Sequence, residues 1–326
     1  MTVFVTGAAG FIGFNTTRAL LARGEKVIGI DNLNDYYDPA VKKARLAEIE
    51  NDPGFTFVKG DIADRETVEG IAAQNPDIDR IVGLAAQAGV RHSLIDPYSY
   101  TRCNVEGHLV LLEMARNLKN FKHFVYASSS SVYGANEKQP LSVEDRVDLP
   151  VSLYAATKRA GELMAHAYAH LFGIPATGLR FFTVYGPWGR PDMAAWIFTK
   201  KILAGEPIHV FNGGDMRRDF TYIEDIVRGV LAALDHAPEG GVPAKVYNLG
   251  NHKSENLMDY VGAIEDALGK KAEKIMEPMQ PGDVKETYAD IEASRRDLGF
   301  EPMTSIQEGI PKFIDWYRLY HGNSTG

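Results

Sequence analysis

Residues 2–13 read TVFVTGAAGFIG: a β-branched apolar run, then glycines at 7, 10 and 13, then the start of a further apolar stretch. The first run is too short for a helix and reads as a buried strand. In a strand-to-helix turn, Gly7 permits the tight bend, Gly10 lets the backbone approach a pyrophosphate and Gly13 lets the helix lie close on the strand. Phe11 and Ile12 then carry helix N–H groups whose dipole faces the phosphates. A second run, KVIGID, ends at Asp31, eighteen residues beyond Gly13, where a carboxylate accepts hydrogen bonds from both ribose hydroxyls and repels a 2′-phosphate. The expected cofactor is therefore NAD rather than NADP.

Further apolar runs follow: FTFVKGD, RIVGLAA, HFVYASS and ATGLRFF. Between them lie stretches of helical spacing at 14–23, 39–50, 65–73, 98–117 and 152–172. Strand–helix alternation over some 180 residues predicts a parallel sheet covered on both faces, an α/β fold with a Rossmann-like doubly wound sheet. In such sheets ligands bind beyond the carboxyl ends of the strands. Asn32, Asp61, Ile62, Leu84, Ala85 and Ala86 fall there and complete the expected NAD contacts. After Thr183 the Gly/Pro punctuation of GPWGRPD, NGGDMRRD and QPGD predicts a smaller α+β lobe. The expected division is 1–183 for the cofactor and 184–326 for the substrate, with segments able to exchange between the two.

Composition sets bounds. A chain of 326 residues with 45 % hydrophobic residues suits about two domains. A formal net charge of −8, with scattered Lys and Arg, argues against nucleic-acid binding. Cys103 is the sole cysteine, so no internal disulfide or thiolate metal cluster is possible, and it reads as a small buried side chain. No metal site is expected. No charged leader or long apolar stretch opens the sequence, which predicts a cytoplasmic protein without a membrane partner.

Chemistry gathers around two stretches, SSSSVYG at 128–134 and YAATK at 154–158. Residues four apart share a helix face, so the Tyr154 phenol and Lys158 ammonium point the same way. A cation beside the phenol, with an oxidised nicotinamide nearby, would lower the tyrosine pKa from its ordinary value near 10 and make a phenolate base accessible.

Together these parts resemble the extended short-chain dehydrogenase/reductase superfamily over essentially the whole chain. The stretches IDNLNDYYD (30–38), PVSLYAATK (150–158), RFFTVYGPWGRPDM (180–193) and RRDFTYIEDI (217–226) are similar to UDP-glucuronate 4-epimerases. The resemblance implies that Ser129, Tyr154 and Lys158 are catalytic, and that NAD stays tightly bound and is recycled. It implies a homodimer built on the helices at 98–117 and 152–172. For a UDP-sugar it implies Ser130, Ser131, Thr183, Arg190, Phe211, Arg218 and Asp283 as contacts, with Arg190 on the uronate carboxylate, Phe211 on the uracil and Arg218 on the diphosphate. Gln280 stands where galactose epimerases often carry an arginine, which leaves part of the diphosphate contact unassigned. Related dehydratases resemble T-D-E-V-Y-G at the serine cluster and decarboxylases S-S-E-V-Y-G. Serines in place of those carboxylates point to epimerisation. Epimerases of neutral UDP-sugars, a UDP-glucuronate decarboxylase and a non-catalytic NAD-sensing scaffold remain as alternatives.

Overall fold

Every residue of β1 (Thr2–Thr6) is buried, because it is an interior strand of a sheet covered on both sides. The computed structural model describes residues 1–279 and 284–322, so the expectations for Gln280 and Asp283 lie outside the described residues. Along the strand, alternate side chains enter opposite layers: Val3 and Val5 join one apolar cluster with Phe14 and Leu179, while Phe4 joins another with Ile81, Leu111 and Phe124.

The chain continues through α1 (Phe11–Ala22), β2 (Lys26–Asp31), α2 (Pro39–Ala47), β3 (Phe55–Lys59), α3 (Arg65–Gln74) and β4 (Arg80–Gly83). Next come α4 (Pro97–Thr101), α5 (Gly107–Asn117), β5 (His123–Ser129), α6 (Leu153–Phe172) and β6 (Ala176–Phe181). The single helix expected at 98–117 is interrupted by a π turn at Arg102–Glu106. Such turns widen a helix by one residue and commonly mark functional positions. The start of α6 is fixed by Ser152, whose hydroxyl accepts the Ala155 N–H, and its end by Gly173 at φ +65°.

Beyond residue 182 lie β7 (Thr183–Tyr185), α7 (Ala194–Ala204), β8 (Ile208–Phe211), β9 (Arg217–Arg218), β10 (Phe220–Tyr222) and α8 (Ile223–Asp235). They are followed by β11 (Ala244–Leu249), β12 (Glu255–Asn256), α9 (Leu257–Leu268), β13 (Lys274–Glu277), β14 (Glu286–Thr287), α10 (Glu292–Leu298) and α11 (Ile306–Gly322). The main sheet runs β3-β2-β1-β4-β5-β6-β11, all parallel. Its seventh strand comes from beyond residue 183, with Leu249 beside Phe181, and α8 packs on α1. The remaining strands form small sheets, β10-β7, β12-β9-β14 and β13-β8. Strand order reverses between β1 and β4, and the connections splay apart there to open a crevice.

Candidate active site

The crevice begins at the glycine turn. Gly7 adopts φ +70°, and a Cβ there would lie 2.8 Å from the Ala85 nitrogen, against the β4 connection. A Cβ on Gly13 would lie 2.0 Å from the Gly7 carbonyl oxygen, so only glycine lets α1 start this close to β1. Gly10, Phe11, Ile12 and Gly13 line one wall of the cleft, and Leu84, Ala85 and Ala86 line the opposite one. This backbone cradle beside a helix N-terminus fits the pyrophosphate of a dinucleotide.

Asp31 stands at the adenosine end, 8 % exposed. Its carboxylate accepts the Ala9 N–H at 3.2 Å and the Leu33 N–H at 2.8 Å, which aims it into the cleft beside Asn32. Lys42, which no local pattern singled out, lies 3.9 Å from Asp31 and donates to the Asn34 side chain at 2.7 Å. Burial lowers the Lys42 pKa against the pull of Asp31. Asp61 and Ile62 close the same end, with Asp61 accepting the Ala63 N–H at 2.9 Å and pairing with Arg102 at 3.3 Å. Cys103 also lines the cleft, and burial pushes its thiol up to about 11, which leaves it unreactive.

Ser129, Tyr154 and Lys158 converge at the other end. The Lys158 ammonium donates to the Ala127 carbonyl at 2.9 Å and lies 5.9 Å from the centre of the Tyr154 ring. Tyr100 meets that ring edge-on at 6.1 Å, its own hydroxyl donating to the Ala88 carbonyl. Ser129 Oγ lies 3.1 Å from Ser131 Oγ and accepts the Ser131 N–H, which makes the two hydroxyls one unit. Ser130 and Ser131 are half-buried in the 3-10 turn after β5, and neither lines the main cleft. The acidic side chains that line the cleft, among the described residues, are Asp31 and Asp61, both at the adenosine end.

Ser128 has a different task. Its hydroxyl donates at 2.6 Å to Glu162, a carboxylate 3 % exposed that also takes the Arg180 guanidinium through two bonds of 2.8 and 2.9 Å. Burial alone would raise the Glu162 pKa, but Arg180, Ser128 and Arg159 together hold it below the usual range. This buried pair joins β5, β6 and α6 directly beneath the serine turn. Asn104, in the π turn, bridges the Gln87 backbone to the Thr157 hydroxyl, one residue before Lys158. Neither network carries a signal readable from spacing along the chain.

Arg190 stands in the loop between the short β7 and α7. It lines the cleft and is already engaged: its Nε and Nη2 grip both oxygens of Asp192, the first at 2.9 Å. Tyr36 donates to the same carboxylate at 3.0 Å, and burial followed by the Asp192 charge pushes its phenol up to about 12. Thr183 sits near Arg190 in a small side hollow. Phe211 ends β8, its ring 5.0 Å below the Arg91 guanidinium, and Arg218 on β9 donates to the Arg217 and Lys285 carbonyls. The structure brings neither Phe211 nor Arg218 to the wall of the main cleft.

A doubly wound sheet with a glycine cradle, an aspartate lining the cleft at the end of β2 and a Ser/Tyr/Lys set at the crevice defines a dinucleotide-dependent enzyme of the extended short-chain dehydrogenase/reductase class. The sequence pattern of the NAD dependent epimerase/dehydratase family matches residues 3–250, and the chain belongs to that family. It is 48 % identical to UDP-glucuronate 4-epimerase 4 of Arabidopsis thaliana over 98 % of this chain and 76 % of that protein. The fold is similar to the crystal structure of UDP-glucuronic acid 4-epimerase from Bacillus cereus in complex with UDP-glucuronic acid and NAD (TM-score 0.90, 35 % identity, 98 % of this chain and 100 % of that one). It is also similar to UDP-glucose 4-epimerase from Thermotoga maritima with UDP-glucose (TM-score 0.88, 30 % identity, 98 % and 100 % coverage).

Proposed function

We propose that this chain catalyses the NAD-dependent, reversible 4-epimerisation of UDP-glucuronate to UDP-galacturonate through a 4-keto sugar. The carrying observation is the pairing of Ser129, Tyr154 and Lys158 with Arg190 in a crevice whose only lining carboxylates, among the described residues, lie at the adenosine end. Relatives that act on UDP-glucuronate support the same substrate.

NAD supplies the hydride acceptor and donor when bound, cradled by the glycine turn and Asp31. Tyr154, as phenolate, takes the proton of the sugar 4-hydroxyl at its Oη, directly or through Ser129. Lys158, anchored on the Ala127 carbonyl, stabilises the phenolate charge. The ketone then turns over about the bonds to its phosphate and presents its other face, and Tyr154 returns the proton. The same proton leaves and comes back, so the site needs no net exchange with water.

A ketone at carbon 4 with a carboxylate on carbon 5 is a β-keto acid that can lose carbon dioxide. Arg190, with Thr183 as a hydroxyl donor, holds that carboxylate against the loss, and Ser130 and Ser131 face the sugar. Phe211 takes the uracil and Arg218 the diphosphate, both outside the lining of the main cleft. Residues 1–183, completed by β11 and α8 from the later part of the chain, carry the cofactor, and the rest of 184–326 takes the nucleotide sugar. Exposed Leu109 on α5 and Leu163, Leu171 and Phe172 on α6 support a homodimer through these helices, in the cytoplasm.

The pairing of Arg190 with Asp192 favours a second reading, an epimerase of neutral UDP-sugars in which Arg190 is a structural cation. Affinities of the Arg190→Ala variant separate the two. We expect UDP-glucuronate to lose about tenfold or more while UDP-glucose changes little, as for loss of one charge-assisted contact. Equal affinities before and after would favour the neutral-sugar reading.

A further inference from the structure

Arg45, on α2, is fully buried, and no carboxylate among the described residues forms an ion pair with it. All five of its N–H donors are nevertheless used. Nη1 donates to the Ala9 carbonyl at 2.9 Å and the Tyr37 hydroxyl at 2.8 Å. Nη2 donates to the carbonyls of Trp188 at 2.7 Å and Gly189 at 3.2 Å, and Nε to Trp188 at 3.2 Å. Ala9 belongs to the glycine turn, and Trp188 and Gly189 immediately precede Arg190.

We infer that Arg45 is a positioning residue that locks the Arg190 loop onto the glycine turn, so that the hold on the dinucleotide and the choice of a uronate sugar depend on one buried fork. The inference rests on the role given to Arg190 above. A dry cation without a counter-ion is costly, and it persists where its donors are satisfied and a negative group stands near. The pyrophosphate of NAD, when bound at the glycine turn, would be such a group. Only a planar guanidinium offers five donors in fixed directions, whereas an ammonium offers three from one centre.

The loop is held at a second point. Trp188 adopts φ +65°, a conformation rare for a bulky residue and maintained only where the surroundings enforce it. Its indole is wedged against Phe14 of α1 at 5.5 Å and Trp316 of α11 at 5.2 Å. That backbone turn aims the Trp188 carbonyl at Arg45, two residues before Arg190. Weakening the fork therefore lets the Arg190 guanidinium and its partner Asp192 drift relative to the cofactor.

The test compares the NAD-loaded wild type with Arg45→Lys, Arg190→Ala and the double variant, by calorimetric affinity for UDP-glucuronate and UDP-glucose. Arg45→Lys keeps the charge and loses the fork. We expect its preference for UDP-glucuronate to fall about tenfold, its UDP-glucose affinity to stay within about twofold, and the double variant to be no worse than Arg190→Ala, the non-additivity of residues acting in series. The same variant should lose more NAD than wild type on gel filtration. Equal losses for both sugars, or a further fall in the double variant, would overturn the inference. Should Arg45→Lys not fold, Tyr37→Phe removes one acceptor and should shift the same ratio in the same direction, and an unchanged ratio would overturn it equally. An Arg190→Ala protein that keeps its uronate preference would sink the Arg190 assignment and is recognisable from that variant alone.

Discussion

The two ends of the cleft are built in opposite ways. At the adenosine end the turn at 7–13 and the carboxylate of Asp31 follow one another along the chain, and much of the binding surface is backbone. At the sugar end Ser129, Tyr154 and Arg190 arrive from β5, α6 and the loop after β7, and each stands on side chains distant in sequence. The Asp192–Tyr36 contact spans 156 residues, and the Arg45 fork spans 143. Backbone cradles tolerate little change at the glycines themselves but do not depend on remote partners. Side-chain sites admit variation in substrate at the cost of needing a supporting network.

The comparison breaks most readily at Tyr154. Tyr154→Phe should cut turnover about 10³-fold, within the range for loss of a general acid–base group, while NAD content and UDP-sugar affinity hold. Single-turnover hydride transfer followed by absorbance checks this, and a variant that retained the wild-type rate would remove Tyr154 from the chemistry. At the other end, Gly13→Ala places a Cβ against backbone atoms that cannot rotate away. A stability loss of about 3 kcal/mol with loss of bound NAD is expected, the upper range for overpacking. A urea titration and NAD quantitation would show whether the cradle is instead soft.

A further effect concerns the scaffold between the two ends. Burial holds the imidazole of His123, on β5, down to about 4, and burial with the nearby Lys158 charge holds His108, behind the sugar end, down to about 3. An unfolded chain protonates both near pH 6.5, so the native state binds fewer protons below that point. Their stabilising contribution is complete above pH 6.5 and is lost as pH falls toward 4 and then 3, at a slope of at most about 1.4 kcal/mol per pH unit for each histidine. Urea midpoints at neutral and mildly acidic pH should fall accordingly. A midpoint flat down to pH 5 would mean that these rings take up protons in the folded protein.

Local patterns carried much of the fold. The apolar runs became the first six strands of the sheet, and the tyrosine–lysine spacing placed both side chains in the cleft because an α-helix repeats every 3.6 residues. The seventh strand, AKVYNL, was hidden because a parallel strand inserted from a later segment leaves no mark in chain order. The π turn around Asn104 likewise has no compositional signature. Lys42, Glu162 and Asp192 read in sequence as ordinary helix or turn charges. Only the folded chain shows that the first two are buried and that all three support site residues.

The central claim is that a crevice with a Ser/Tyr/Lys set and, among the described residues, no carboxylate lining its sugar end inverts carbon 4 of a uronate without cleaving the bond to its carboxyl carbon. Its most direct test is proton NMR of the purified protein with UDP-glucuronate and no added cofactor, with carbon dioxide measured in parallel. The account predicts that UDP-galacturonate appears without carbon dioxide. Release of carbon dioxide with a UDP-pentose product would contradict it and place the chemistry with decarboxylation.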